Sequence, residues 1–207
     1  MSSISKFFVF GSLCYMFLLA ACGSSTQEAN LKPSPTAIHH ETPVVATKPT
    51  DLPGSTPAVG VPLRLLIPRI GVNAPIEDAG ITAQGDLATP TKNPWDDVGW
   101  YSNGPRPGEQ GSAVINGHLD RPGGYPAVFW NLRQLHAGDE VLIVNAQGKS
   151  VRFRVARIAS YPPQEAPLED IFSATGGAYL NLITCAGTWI PAQHQTTLRL
   201  VVYTTLA

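Results

Sequence analysis

Apolar positions in the C-terminal two thirds of this chain fall in short runs, not long stripes. Leu63 to Ile70, Ala74 to Ile81, Val98 to Ser102, Ser112 to Asn116, Glu140 to Asn145, Ser150 to Tyr161, Ala178 to Thr184 and Thr197 to Tyr203 are separated by Gly, Pro, Asn and Asp. Runs of this length between turn residues predict strands, and their succession predicts an all-β sandwich or barrel. Alternation is clearest around Asn145-Ala146-Gln147-Gly148. There Val141 and Ile143 on one arm, and Val151, Phe153 and Val155 on the other, alternate with polar neighbours, which predicts a hairpin with one buried face. Two short helical turns are predicted, Val128 to Leu135 and Pro167 to Phe172; in the second, Leu168, Ile171 and Phe172 share a face.

The N-terminal third follows a different pattern. Met1 to Ala21 carries one lysine, Lys6, then an uncharged apolar run ending in small residues, which predicts a secretory signal over residues 1–21. The run is shorter than the roughly 20 residues a spanning helix needs. It closes on Leu19-Ala20-Ala21-Cys22-Gly23, which resembles the bacterial lipobox. That resemblance implies lipid attachment at Cys22 and a protein held on the extracellular face of the cell membrane. Residues 22–60 are rich in Pro, Thr, Ser and Ala and lack both periodicity and aromatic residues, the composition of a tether. His39 and His40 lie in it and are expected to be solvated. Residues 61–207 remain as one domain of ordinary size.

Charge and cysteine usage narrow the function. A net charge of −1 with no basic cluster leaves nothing to meet phosphates, so nucleic acid is not an expected partner. Of three cysteines, Cys14 lies in the signal run and Cys22 at the lipid site, so the domain keeps Cys185 alone and no disulfide framework. A lone exported thiol is either a small buried hydrophobe or a reactive group.

Its surroundings suggest the second. Val114-Ile115-Asn116-Gly117-His118 and Leu180-Asn181-Leu182-Ile183-Thr184-Cys185-Ala186-Gly187 both read as strands running out into turns, where a rigid sheet presents side chains to solvent. An ordinary thiol is only a few per cent ionised near neutrality and needs a base, and an imidazole can supply one. His118 and Cys185 are 67 residues apart, so only tertiary structure can join them. Arg199 alternates against Leu198, Leu200 and Val202 on its strand, which leaves it either facing solvent or meeting a partner such as an oxyanion.

Ile115-Asn116-Gly117-His118, Leu182-Ile183-Thr184-Cys185 and Leu198-Arg199-Leu200-Val201-Val202-Tyr203 resemble, in order and spacing, the signature strands of sortases. Leu65 to Val72, Pro94-Trp95 through Gly99-Trp100-Tyr101, and Phe129-Trp130-Asn131-Leu132 with Leu135 and Gly138-Asp139 are also similar to that family, and the likeness is nearest the class F type of actinobacteria and related bacteria. The resemblance implies a closed eight-stranded β-barrel with one or two short helices, and a sortase catalytic domain over 61–207. It implies a cysteine transpeptidase with His118, Cys185 and Arg199 as catalytic residues. Such an enzyme cleaves a sorting-signal peptide of the Leu-Pro-x-Thr-Gly kind on exported proteins. It then passes the acyl group to an amine acceptor, a cell-wall precursor or a pilin lysine.

Thr184 before the cysteine, and Trp189 and His194 in the following loop, predicted as Gly187 to Gln195, are candidate substrate contacts. Asp120 is a candidate for orienting His118, and His136 is expected to be structural. Some sortases bind calcium through a carboxylate before the cysteine strand. Glu165, Glu169 and Asp170 lie there without specific pairing, and no zinc spacing occurs, so no metal or other cofactor is expected. The protein is expected to be a monomer. L,D-transpeptidases carry Ser-x-Gly before the cysteine, unlike Ile183-Thr184, and papain-like enzymes place Cys before His along the chain. The remaining alternative is a lipid-anchored peptide-binding module with a sortase-like barrel and no turnover.

Overall fold

The computed structural model describes residues 59–207. The expected signal over 1–21, the lipid site at Cys22, His39, His40 and nearly all of the 22–60 tether lie outside the described residues. Among the described residues ten strands form: β1 (Pro62–Ile67), β2 (Val72–Ala79), β3 (Val98–Tyr101), β4 (Gly111–Asn116), β5 (Asp120–Arg121), β6 (Tyr125–Pro126), β7 (Glu140–Asn145), β8 (Ser150–Tyr161), β9 (Ala178–Ile190) and β10 (Gln195–Leu206). Eight of them close a barrel in the order β1-β2-β3-β4-β9-β10-β8-β7, and β5 and β6 make a separate two-stranded ribbon. The single α-helix among the described residues, α1 (Leu168–Phe172), lies in the β8–β9 connection. The closed eight-stranded barrel expected from the resemblance is therefore the fold.

Most sequence-derived boundaries hold within two residues, and the exceptions have physical causes. β1 stops at Ile67, where Pro68 lacks the N–H a ladder needs and opens a 3-10 turn over Pro68–Ile70. The turn expected over Val128 to Leu135 contracts to a 3-10 turn at Leu132–Gln134. The Asn145 hairpin forms as expected: Asn145 Oδ1 accepts from the amides of Gln147 (3.0 Å) and Lys149 (2.9 Å).

The largest departure is the last hairpin. β9 runs on to Ile190 and β10 begins at Gln195, so the loop expected over Gly187 to Gln195 shrinks to a short 3-10 turn, Pro191–Gln193, closed by His194. Main-chain pairing sustains strands without an apolar pattern, so Ala186-Gly187-Thr188 did not look like strand. Ala186 pairs with Leu198 and Trp189 with Thr196, so Gly187 and Thr188 together face Thr197 as a β-bulge. Gly187 has φ +77°, and a Cβ there would collide with Thr197 Oγ1, so only glycine fits the bulge.

Alternation sorts the barrel strands into two environments. Leu65, Ile67, Ile115, Phe129, Phe153, Leu180, Leu182 and Val202 fill the interior with no exposed surface. Each such side chain contributes about 1.5–3 kcal/mol through burial. On the outer face, Val114, Ile171, Val201 and Tyr203 form a second cluster with Ile183 and Phe172 packed against it, so α1 covers part of the wall made by β4, β9 and β10.

Candidate active site

The three candidate catalytic residues come together through strand register. β4 and β9 run parallel with Asn116 opposite Ile183, and the Gly117 amide still donates to the Ile183 carbonyl at 3.2 Å. Continuing that register two residues sets His118 beside Cys185. On the other side, β9 and β10 pair antiparallel with Cys185 opposite Arg199. All three belong to the outer parity, shared with Val114, Ile183 and Val201. Adjacent strands lie about 4.8 Å apart, so Cys185 and Arg199 are cross-strand neighbours, and His118, two residues past the end of β4, stands at the same end of the sheet.

Several contacts fix the His118 end of the site. Thr184 points inward, is buried, and donates its hydroxyl to the Gly117 carbonyl at 2.8 Å across a separation of 67 residues. The His118 carbonyl accepts from the Phe129 amide at 3.0 Å. A Cβ on Gly117 would sit 2.8 Å from atoms of both Phe129 and Val128, so glycine is what lets the chain pass that close. The Trp95 ring packs against the imidazole, with centroids 4.9 Å apart and planes at 48°.

Half-buried His118 has its pKa held below the usual 6.5 by desolvation, and the Asp120 carboxylate partly opposes this. Asp120 is exposed and makes no hydrogen bond to the ring among the described residues, so it acts through space and does not orient the imidazole. Cys185 is a free, partly exposed thiol. No hydrogen bond joins it to His118 among the described residues, so the two are neighbours without a formed ion pair.

Arg199 folds back along its own strand. Its Nη1 donates to Thr196 Oγ1 (2.9 Å) and to the Leu198 carbonyl (3.1 Å), and Thr196 Oγ1 in turn donates to that same carbonyl (3.0 Å). No carboxylate pairs with Arg199 among the described residues, and its Nε and Nη2 keep their donors free there. Arg199 and Ile183 also line an open groove of about 330 Å³, whose other walls include Leu87, Leu168, Phe172 and Val201. Asp86, Gln164 and Gln195 also line it, so this mixed groove with free cationic donors suits an extended peptide with an apolar side chain and a carbonyl to polarise.

The remaining candidates are placed differently. Thr184, expected at the substrate, has its hydroxyl committed inside the barrel. The bulge reverses the alternation, so Trp189, 54% exposed, falls on the parity opposite to that of Cys185 and packs edge-on to His194 at 6.5 Å. His194 is exposed at the hairpin tip with φ +50°. His136 is exposed in a turn where its amide donates to Asp139 Oδ2 at 2.8 Å. Among the described residues no three His, Cys, Asp or Glu side chains converge as a metal site. No helix there is long and apolar enough to cross a membrane.

Two participants were given no site role by the sequence reading. Trp95 carried a signal, since a Trp amid Lys92-Asn93-Pro94 and Asp96-Asp97 serves no strand pattern. Thr196 carried none, because its contact with Arg199 arises from backbone curl beside the bulge.

The sortase domain model matches residues 65–207. The chain belongs to the sortase family. Solved structures agree on the fold. Sortase C-1 from Actinomyces oris (formerly Actinomyces naeslundii) is 24% identical with a TM-score of 0.55, the match covering 70% of this chain and 71% of that one. Streptococcus agalactiae sortase C1, in complex with MTSET, is 26% identical with a TM-score of 0.54, covering 70% of this chain and 66% of that one. Group B Streptococcus Pilus Island 1 sortase C2 is 21% identical with a TM-score of 0.53, covering 70% and 73%. This sortase thus spans slightly under two thirds of the sortase C1 chain. No curated protein sequence matches it. Sortases are cysteine transpeptidases, and the chemistry of these residues is of that kind.

Proposed function

We propose that this sortase is an exported, lipid-anchored transpeptidase that cleaves a Leu-Pro-x-Thr-Gly-like sorting signal and transfers the acyl group to an amine. The observation that carries this reading is the pairing of Cys185 with Arg199, with His118 just past the end of the adjacent parallel strand and Arg199 lining an open groove. Cys185 Sγ passes its proton to neutral His118 and bonds to the Thr carbonyl carbon, while free donors of Arg199 neutralise the developing oxyanion. The Thr–Gly bond then breaks as His118 returns the proton to the departing glycine amine, leaving a thioester. The acceptor amine attacks that thioester, gives a proton to His118 and restores the thiol. The depressed imidazole pKa favours the neutral form that the first step needs.

The acceptor is a cell-wall precursor or a pilin lysine, the class is F, and Cys22 carries the lipid that holds the enzyme on the outer face of the membrane. The signature segments and the lipobox-like Leu19 to Gly23 support these finer assignments. Incubating the purified protein with a Leu-Pro-x-Thr-Gly peptide and an amine tests the chemistry. Parent protein should give both cleavage and the amine adduct, and Cys185→Ala neither. Cleavage by Cys185→Ala at the parental rate would remove the proposal. Labelling cells with a clickable fatty acid should mark the parent and not Cys22→Ser.

A further inference from the structure

Neither ring nitrogen of His118 has a hydrogen-bond partner among the described residues. No polar contact therefore sets the plane of the imidazole. What meets it is the Trp95 ring, tilted at 48° with centroids 4.9 Å apart. The indole N–H also lacks a partner among the described residues, so the Trp95 side chain is not held there by a hydrogen bond of its own. The segment that carries Trp95 is instead tied down at each stage. Buried Glu77 accepts from the amides of Thr91 (3.1 Å) and Lys92 (2.9 Å), and from the Thr91 hydroxyl (3.3 Å). The Asn93 carbonyl accepts from the amides of Asp96 (3.0 Å) and Asp97 (2.8 Å). The Trp95 carbonyl accepts from the Val128 amide (2.8 Å), next to Phe129, which holds the His118 carbonyl. Asp96 pairs with Arg121 at 2.6 Å, three residues beyond His118. One loop is thus anchored to β2, to the chain after β6 and to the ribbon following His118, and it presents one aromatic ring.

We propose that Trp95 is a positioning residue for His118: the anchored β2–β3 loop packs its indole at a tilt against the imidazole, fixing the ring's orientation toward Cys185 and excluding water from one side. The inference rests on the acid/base role of His118 given above. An aromatic face supplies contact without a competing donor or acceptor, so it orients the imidazole while leaving both nitrogens for thiol and substrate. It also withholds hydration from the charged form, in keeping with the lowered pKa. The charged groups around the ring are few. Asp120 opens β5 two residues after His118, Asp96 is paired with Arg121, Asp97 lies in the Trp95 loop, and Cys185 and Arg199 occupy β9 and β10. None of them hydrogen-bonds to the imidazole.

The test combines imidazole NMR titration with the pH profile of peptide turnover, in the full-length protein and in Trp95→Ala, Trp95→Phe and Arg121→Gln. Trp95→Ala should raise the His118 midpoint and move the acid limb of kcat/KM the same way. It should also lower kcat/KM on the order of 10- to 100-fold, the usual cost of a catalytic group displaced by about 1 Å. Trp95→Phe should restore most of both. Arg121→Gln, at a partly exposed bridge, should shift the midpoint in the same direction but less, and it decides the matter if Trp95→Ala does not fold. A His118 midpoint and pH profile unchanged in these variants would overturn the proposal. Persisting turnover in His118→Ala would instead remove the acid/base role, while the NMR midpoint would still report on the brace.

Discussion

Replacing Thr184 by valine preserves shape and deletes one hydroxyl. In the parent that hydroxyl donates to the Gly117 carbonyl at 2.8 Å, in an interior where Thr184 is only 3% exposed and Gly117 is buried. The variant loses a neutral hydrogen bond and strands a carbonyl, together about 2 kcal/mol. For a domain of this size, each kcal/mol moves Tm by roughly 2–4 °C, so Thr184→Val should melt about 4–8 °C lower. Thr184→Ser keeps the bond and gives up one buried methyl, about 0.8 kcal/mol, so it should melt roughly 2–3 °C lower. The hydroxyl, not the methyl, then sets the order parent, serine, valine. Because the bond ties the residue before His118 to the residue before Cys185, valine should also slow turnover through kcat. Calorimetry and peptide kinetics on the three proteins read both effects. A side chain that met substrate would behave otherwise, with valine raising KM at an unchanged Tm. That result, or a serine variant melting below the valine one, would refute the reasoning.

Other perturbations follow from the same geometry. Gly187→Val forces a branched residue to φ +77° against Thr197, which should cost about 1–3 kcal/mol in a melt and lower kcat/KM by loosening the hairpin beyond Cys185. Thr196→Val removes the oxygen that holds Arg199 Nη1, so kcat/KM should fall while Tm moves little, and Thr196→Ser should recover it. Burial alone would raise the Glu77 carboxyl, but the Thr91 and Lys92 amides outweigh it and hold it below its ordinary 4.5. The folded pKa is then the lower one, so its contribution is complete above about pH 4.5 and is lost as pH falls through the folded value. Glu77→Gln should flatten that acid limb in pH-dependent melts. His118 likewise binds fewer protons folded than unfolded below about pH 6.5, so stability should fall as pH drops through that range, and His118→Gln should lose the slope.

Strand positions were legible where alternation or apolar runs mark them. β7 and β8 match the reading residue for residue, because a half-buried hairpin writes its register into every second side chain. The same logic fails past Cys185, where the β9–β10 hairpin is held by main-chain bonds and by a bulge whose only sequence mark is one glycine. β5 and β6, two residues each, fall below any periodic signal. Within the site, the residue types were readable, and so by alternation was the direction of Thr184, but that of Trp189 was not. Thr184 precedes the cysteine, and strict alternation sends it inward. Trp189 lies four residues after Cys185, where even alternation would keep it on the same face, and only the extra bulge residue reverses it.

That contrast bears on how the site tolerates change. Parallel pairing of β4 with β9 keeps a constant offset, so Gly117–Thr184 and His118–Cys185 share one separation, and a lock placed at the first pair sets the second. Antiparallel pairing with β10 ties Arg199 to Cys185 by a different route, through the hairpin. Disturbing the parallel side displaces the imidazole from the thiol; disturbing the hairpin displaces the guanidinium. The two classes of variant should therefore separate kinetically. Changes at Thr184 or Trp95 act on proton transfer and alter the pH profile, whereas changes at Gly187 or Thr196 act on carbonyl polarisation and lower the rate at every pH. Being held by separate strand pairs, the two kinds of damage should combine additively in a double variant such as Trp95→Ala with Thr196→Val. Strong non-additivity would mean that imidazole and guanidinium are coupled through the substrate itself.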